Sequence, residues 1–253
     1  MHAGGEPLMQ PRIFDMINYA HDAGIGTWMS SNATILNEDK AGKLLESGLD
    51  ALVLSIDATT AETYEKIRVG GNFEKTKSNI LRFLEMRKDA GSNLLVTIQA
   101  IEMEENKHEM DEFREFWSKF DANLIIKPMI NWDIKGVEDM KYPDVMCDRP
   151  WYWLFVRSTG LVPPCGHDYE MKAVFGDLNK NTVSEIWNSE AAQKFRESLR
   201  GGKKGHYVCS HCDYAPARKR GLVGNTAQTS LDMLTICKML FWMGYHKVNR
   251  SGK

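Results

Sequence analysis

Residues 51–68 read ALVLSIDATTAETYEKIR. The first six, ALVLSI, form an unbroken apolar run of strand length, as expected for a strand buried on both faces. The residues after them change period, and Tyr64 and Ile67 begin a helical spacing that continues through Phe73, Ile80, Leu84 and Met86 to about Lys88, broken at Gly70-Gly71. A buried strand running straight into a helix is the repeating unit of a parallel sheet covered by helices.

The same alternation extends in both directions. Upstream, residues 8–23 set Ile13, Met16, Ile17 and Ala20 on one helical face, with Gly24 as a stop, and a short apolar run at 25–29 precedes a second helix at 38–47 that ends on Gly48. Downstream, LLVTIQAI at 94–101 reads as a strand, 105–120 as an acidic amphipathic helix and LIIKPMI at 124–130 as a strand. The fold class is therefore α/β, a piece of a β/α barrel or of an open doubly wound sheet. In either, binding residues collect in the loops after the C-terminal ends of strands, here near 4–7, 30–34, 55–57, 99–102 and 127–131.

Beyond residue 130 the pattern changes. Residues 131–145 have no period and read as a linker. LFVRSTGLVPPC, 154–165, predicts a hairpin turning at Ser158-Thr159-Gly160, followed by short helices at 182–188 and 190–200 and a basic loop at 201–205. An apolar helical stretch at 229–246 closes the chain. The predicted organisation is a partial barrel at 1–130, the linker, a small cysteine-bearing domain at 146–215 and a helical extension at 216–253.

Composition limits the function classes. The 253 residues carry 43% hydrophobic and 26% charged side chains, so the chain is globular in type, and a net charge of −2 argues against nucleic acid as a partner. Arg218-Lys219-Arg220 reads as a solvated flank. No window approaches the roughly 18 apolar residues of a membrane helix, and MHAGGEPLMQPR lacks a signal core, so no membrane is expected and the expected location is cytoplasmic.

All five cysteines lie at or beyond residue 147, a pattern suited to a thiolate metal site in a reducing compartment. Cys209-Ser210-His211-Cys212 is a C-x₂-C pair, and with Cys147 and Cys165 it supplies four thiolates, enough for a tetrahedral zinc site or a 4Fe–4S cluster. Spacing does not separate the two. Cys237, between Ile236 and Met239, reads as a core residue. His167 and Asp168 read as hydrogen-bond partners of the metal site or as a proton-transfer pair beside it, and Trp151, Tyr152 and Trp153 as packing. A second signal is Gly4-Gly5-Glu6-Pro7 just before a helix, where paired glycines let a ligand approach the backbone.

Taken in order, these segments resemble the radical SAM superfamily, in particular its members with a C-terminal SPASM or twitch domain. GGEPLM at 4–9 is similar to the family's GGEP motif. Ser31-Asn32-Ala33-Thr34-Ile35-Leu36 is similar to its T-N-G-T-x-L segment, with Ala33 where glycine is usual. Leu54-Ser55-Ile56-Asp57, Glu62-Thr63-Tyr64 and Ile67-Arg68 resemble the following strand and its continuation. Gly160-Leu161-Val162, Cys165, Phe175-Gly176-Asp177-Leu178, Glu185-Ile186-Trp187-Asn188 and Cys209-x-x-Cys212 resemble the SPASM region in order and spacing.

The resemblance implies S-adenosylmethionine (SAM) as cofactor, with Gly4, Gly5, Glu6 and Pro7 at its amino group, Asn32 and Ser55 at its ribose or methionyl part and Arg68 at its carboxylate, Gln99 being a weaker candidate. It implies one auxiliary 4Fe–4S cluster on Cys147, Cys165, Cys209 and Cys212, a reductant such as flavodoxin or ferredoxin, and a peptide or small sugar-like substrate attacked by a 5′-deoxyadenosyl radical. The family's C-x₃-C-x₂-C motif is not in this sequence, whose first cysteine is Cys147. The chain is accordingly expected to be a fragment of such an enzyme, unable to cleave SAM alone. Two alternatives are a zinc-stabilised scaffold without catalysis and a degenerate member that presents peptide to a partner enzyme.

Overall fold

The computed structural model describes residues 5–129, 147–202, Cys209 and Cys212. They fall in two compact units divided after Met129. Gly4, the linker at 131–145, the loop at 203–205 and the extension at 216–253, with Cys237 and Arg218–Arg220, lie outside the described residues.

The first unit carries α1 (Ile13–Asp22), β1 (Trp28–Ser31), α2 (Glu38–Glu46), β2 (Ala51–Ser55), α3 (Ala61–Ile67), α4 (Phe73–Asp89), β3 (Leu95–Glu102), α5 (Met110–Trp117) and β4 (Asn123–Pro128). The four strands are all parallel in the order β1-β2-β3-β4. Helix starts follow side-chain chemistry: Asn37, Thr60 and Asn72 each accept from the backbone N–H three residues on, so α2, α3 and α4 begin where the sequence supplies an oxygen.

Side chains alternate across the sheet. Leu52, Leu54, Val96, Ile98 and Ala100 pack into the core with Ile17, Leu44, Tyr64, Phe83 and Phe113 from the helices. The other face is more polar, with Ser55 in register with Gln99. Near the C-terminal ends of the strands, Ser30 Oγ lies 3.4 Å and Gln99 Nε2 3.5 Å from Ser55 Oγ, a long hydrogen-bonded row across three strands.

Some boundaries differ from expectation. The helix expected over 8–23 divides into a 3₁₀ turn, Pro7–Met9, and α1, because the turn is capped by Glu6, whose side chain accepts from Leu8 N–H. The apolar run at 25–29 forms strand only from Trp28. Gly24 turns the chain at a φ of 71° and Thr27 N–H is committed to the Asp50 carboxylate at 2.8 Å.

The second unit has β5 (Leu161–Val162), β6 (Gly176–Asp177), α6 (Val183–Trp187) and α7 (Glu190–Ser198). The expected hairpin turn at 158–160 is present, with Gly160 N–H donating to Arg157 O and Arg157 N–H to Leu161 O, both at 2.9 Å, although residues 154–157 form no regular strand. The regular strand partner of β5 is β6, antiparallel. Gly160, at a φ of 88° and against the Asn179 amide, leaves no room for a side chain, so Asn179 bonds Thr159 O and draws the 176–179 segment onto β5. Thr182 and Glu185 form a capping box at the start of α6, and Ser189 caps α7.

Candidate functional site

Two constellations emerge, one in each unit. The first is built on Glu6. Gly5 takes a φ of 77°, a left-handed turn that disfavours any residue with a Cβ, and presents Glu6 to the end of β1. The Glu6 carboxylate accepts three bonds, from Leu8 N–H (3.1 Å), Ser31 Oγ–H (2.8 Å) and Asn32 N–H (2.7 Å). It therefore joins the 5–9 loop to the 31–34 loop.

Inside the second loop, Ser31 Oγ accepts from Ala33 N–H, and Asn32 Oδ1 accepts from Thr34 N–H and Thr34 Oγ1. Ala33 has a φ of 58°. From beneath, the buried Asn79 of α4 donates to Ala33 O at 2.8 Å and Thr34 O at 3.3 Å. The segment expected to contact SAM is thus held by Glu6 from one side and Asn79 from the other.

Ser55 lies in the polar row next to Gln99. Asp57, 3% exposed, takes the place of a ligand for Arg68: Arg68 Nε donates to its Oδ2 at 2.8 Å, and its Oδ1 accepts from Ile101 N–H at 2.9 Å. Arg68, read from sequence as a carboxylate fork, is anchored on Asp57 by an ion pair. Asn106 Nδ2 donates to Asp57 O and Ile101 O, and buried Glu109 accepts from Thr59 N–H, Thr59 Oγ1 and Thr60 Oγ1. Burial pushes the Glu109 carboxyl up, but the bonds from Thr60, Thr63 and Thr59 outweigh it and hold the group below the ordinary carboxylate value.

Sequence reasoning brought the 4–7 and 30–34 loops forward together, and the structure joins them through Glu6. It missed the brace of Asn79, Asn106 and Glu109. Asp57 stood inside the quoted Ser55-Ile56-Asp57 run and was the signal that Arg68 had a partner.

The second constellation is a cavity in the second unit lined by Cys147, Cys165, Cys209 and Cys212, together with Arg149, Pro150, Pro164, His167, Phe195 and Leu199. None of the four cysteines is in a disulfide. Residues up to 65 positions apart in the sequence converge here, Cys147 to Cys212. Burial raises the Cys165 thiol to about 11, the nearby Cys212 and Cys147 add to this, and the backbone N–H groups of His167 and Asp168 oppose it. Those N–H groups are the donors a bound thiolate needs, and insertion of a positively charged metal centre would release the proton. Asp168, 2% exposed, accepts from Lys172 N–H (3.0 Å) and Ala173 N–H (2.9 Å), so it shapes the loop after Cys165.

The four thiols line one cavity. Four thiolates converging on one space are the donor set of a 4Fe–4S cluster, and equally that of a tetrahedral zinc site. Among the described residues no helix is long and apolar enough to cross a membrane.

Comparison with known proteins agrees with this geometry. Residues 1–116 match the radical SAM superfamily, and residues 147–213 match SPASM, an iron–sulfur cluster-binding domain. The AdoMet-dependent heme synthase of Nitratidesulfovibrio vulgaris is 33% identical over 274 residues, spanning 83% of this chain and 72% of that protein. The fold is shared with anSMEcpe solved with bound AdoMet, at 15% identity and a TM-score of 0.55 over 98% of this chain and 83% of that one. It is shared too with Streptococcus suis SuiB bound to precursor peptide SuiA, at 12% identity and a TM-score of 0.53 over 83% and 57%. The chain belongs to the radical SAM superfamily and carries a SPASM domain.

Proposed function

We propose that the loops at the C-terminal end of the sheet bind SAM, that Cys147, Cys165, Cys209 and Cys212 hold one auxiliary 4Fe–4S cluster, and that both serve a radical SAM/SPASM-type protein acting on a peptide. The observation that carries this reading is the convergence of the four cysteines on one cavity in the segment that matches an iron–sulfur domain. SAM, once bound and given an electron, supplies a 5′-deoxyadenosyl radical that removes hydrogen from a substrate. Residues 1–146 contain no cysteine, so no thiolate of that segment can ligate a SAM-cleaving cluster.

Each group has a task in this reading. The Gly4-Gly5-Glu6-Pro7 segment offers backbone groups to the SAM amino group, with the Glu6 carboxylate fixing the 5–9 loop rather than meeting the ligand. The Asn32 and Ser55 side chains lie near the strand ends, suited to the ribose or methionyl part. Arg68, aimed by Asp57, offers its guanidinium to the carboxylate. The auxiliary cluster would exchange electrons with the substrate radical or with a flavodoxin- or ferredoxin-like reductant. A peptide substrate is favoured by the fold shared with a structure solved with a precursor peptide.

The test is anaerobic reconstitution followed by iron, sulfide and zinc analysis, together with calorimetric titration of SAM. Iron and sulfide in equal amounts with saturable SAM binding is the expected outcome. Stoichiometric zinc without sulfide would establish the scaffold alternative instead.

A further inference from the structure

The wall of the cysteine cavity is mostly apolar, with Pro150, Pro164, Phe195 and Leu199 beside the thiols, and Arg149 is the one permanent cation among the described residues that line it. Arg149 opens the 3₁₀ turn Arg149–Trp151, two residues after Cys147. Its guanidinium carbon lies 5.2 Å from the centroid of the Trp153 ring. Its carbonyl accepts from Tyr152 N–H at 3.1 Å and from Trp153 N–H at 2.9 Å, so the turn that positions the cation also carries the ring it stacks on. The same turn is tied to α7, where Arg196 Nε donates to Pro150 O at 2.9 Å. Arg149 is therefore held in the cavity wall by packing.

We infer that Arg149 sets the reduction potential of the auxiliary cluster, making it easier to reduce than the thiolates and apolar wall alone would allow. This rests on the cluster reading above. Four thiolates leave a 4Fe–4S centre with net negative charge, and taking up one electron from the reductant adds another negative charge with no proton required. A nearby permanent cation stabilises the reduced form more than the oxidised form. The effect is large where apolar side chains exclude water, because the attraction is weakly screened there. A guanidinium stays protonated across the accessible pH range, so this contribution is independent of pH. That separates it from His167, the other ionisable non-cysteine side chain on the described wall.

The test is an EPR-monitored redox titration of the reconstituted protein, comparing wild type with Arg149→Met and Arg149→Lys. Arg149→Met should lower the reduced-to-oxidised ratio at a fixed potential at least tenfold, a displacement of ~59 mV to more negative values for one electron. Arg149→Lys, which keeps the charge, should move it less. Should Arg149→Met hold no cluster, Arg149→Gln makes the same change of charge with a polar side chain and is read in its place. A neutral variant with wild-type iron and sulfide and an unchanged potential overturns the inference. A wild-type protein that takes up no iron and sulfide overturns the cluster reading itself, which is a different result.

Discussion

The two units reach a defined structure by different means. Residues 5–129 bury one continuous apolar cluster from Leu8 to Trp117, and the polar braces of Glu6, Asn79, Asp57 and Glu109 are added to a core that is already large. Among the described residues of the second unit the buried apolar cluster has seven members, and one of them is Cys209. Among those residues the longest helix is nine residues and the sheet is two short strands. So small a core rarely holds a domain by itself, and a metal centre joining distant parts of the chain is the usual supplement. The contrast teaches that the same kind of functional residue carries different structural weight in the two places: Glu6 arranges a loop on a frame that stands without it, whereas the cysteines are part of the frame.

The sharpest way to break this comparison is to remove a thiolate. Cys209→Ser is expected to abolish the cluster absorbance and to open 147–212 to limited proteolysis, because cluster binding there is folding free energy. The helices and strands of 5–129 should stay resistant. Loss of protection in both units together would show that the first depends on the second, and an intact 147–212 without iron would show that its small core suffices.

At the first site, Glu6→Ala leaves Leu8 N–H, Ser31 Oγ–H and Asn32 N–H without their acceptor. SAM affinity is expected to fall about 10–100-fold, or ~1.4–2.7 kcal/mol, read by calorimetry. The far-ultraviolet circular dichroism should not change. Glu6→Gln keeps one carbonyl acceptor and should lose less. Equal affinity in Glu6→Ala and wild type would mean that the clip has no bearing on the ligand.

Which of these features the sequence displays follows from the range of the interactions that make them. Buried parallel strands announce themselves as apolar runs, so Ala51–Ser55 and Leu95–Glu102 were readable to within a residue or two, and helix caps such as Thr60 and Asn72 are local side-chain chemistry. The cysteine set was legible because thiolates are few and their spacing is constrained. Pairings between distant side chains carry no spacing signature. Nothing in the sequence ties Glu109 to Thr59 and Thr60, some 50 residues away, or places Arg149 on the cysteine cavity. The hairpin turn at 158–160 is local and was visible, whereas the strand that pairs with β5 is drawn there by Asn179 and was not.

An effect of similar size comes from Glu109. Its carboxyl sits below the ordinary value of 4.5 in the folded protein, so the stability it contributes is complete above that pH and is lost as pH falls through the lower folded value. Glu109→Gln should lower the stability of the first unit by about 1–3 kcal/mol at neutral pH and flatten its acid limb, measured by urea denaturation between pH 3 and 7. An acid limb identical to wild type would assign the pH dependence to other carboxylates, while leaving the second unit as an internal reference.

The smallest expected effect tests how much strain the 31–34 loop holds in the well-packed unit. Ala33 is fully buried and sits at a φ of 58°, where the Cβ of an L-residue costs on the order of 1–2 kcal/mol. Replacing it with glycine relieves that cost, but removes a buried methyl worth about 0.8 kcal/mol and adds roughly 0.5–1 kcal/mol of chain entropy to be lost on folding. The terms oppose one another, so Ala33→Gly should change stability by less than about 1 kcal/mol, whereas an ordinary buried Ala→Gly change with no strain to relieve would cost the full sum of the last two. Ala33→Val, with a branched side chain in the left-handed region, should be clearly destabilising and should weaken SAM binding by distorting the backbone that Glu6 and Asn79 hold. Urea denaturation of the two variants measures the balance, and a loss in Ala33→Gly as large as that in Ala33→Val would mean that the buried methyl, and not the turn, governs this position.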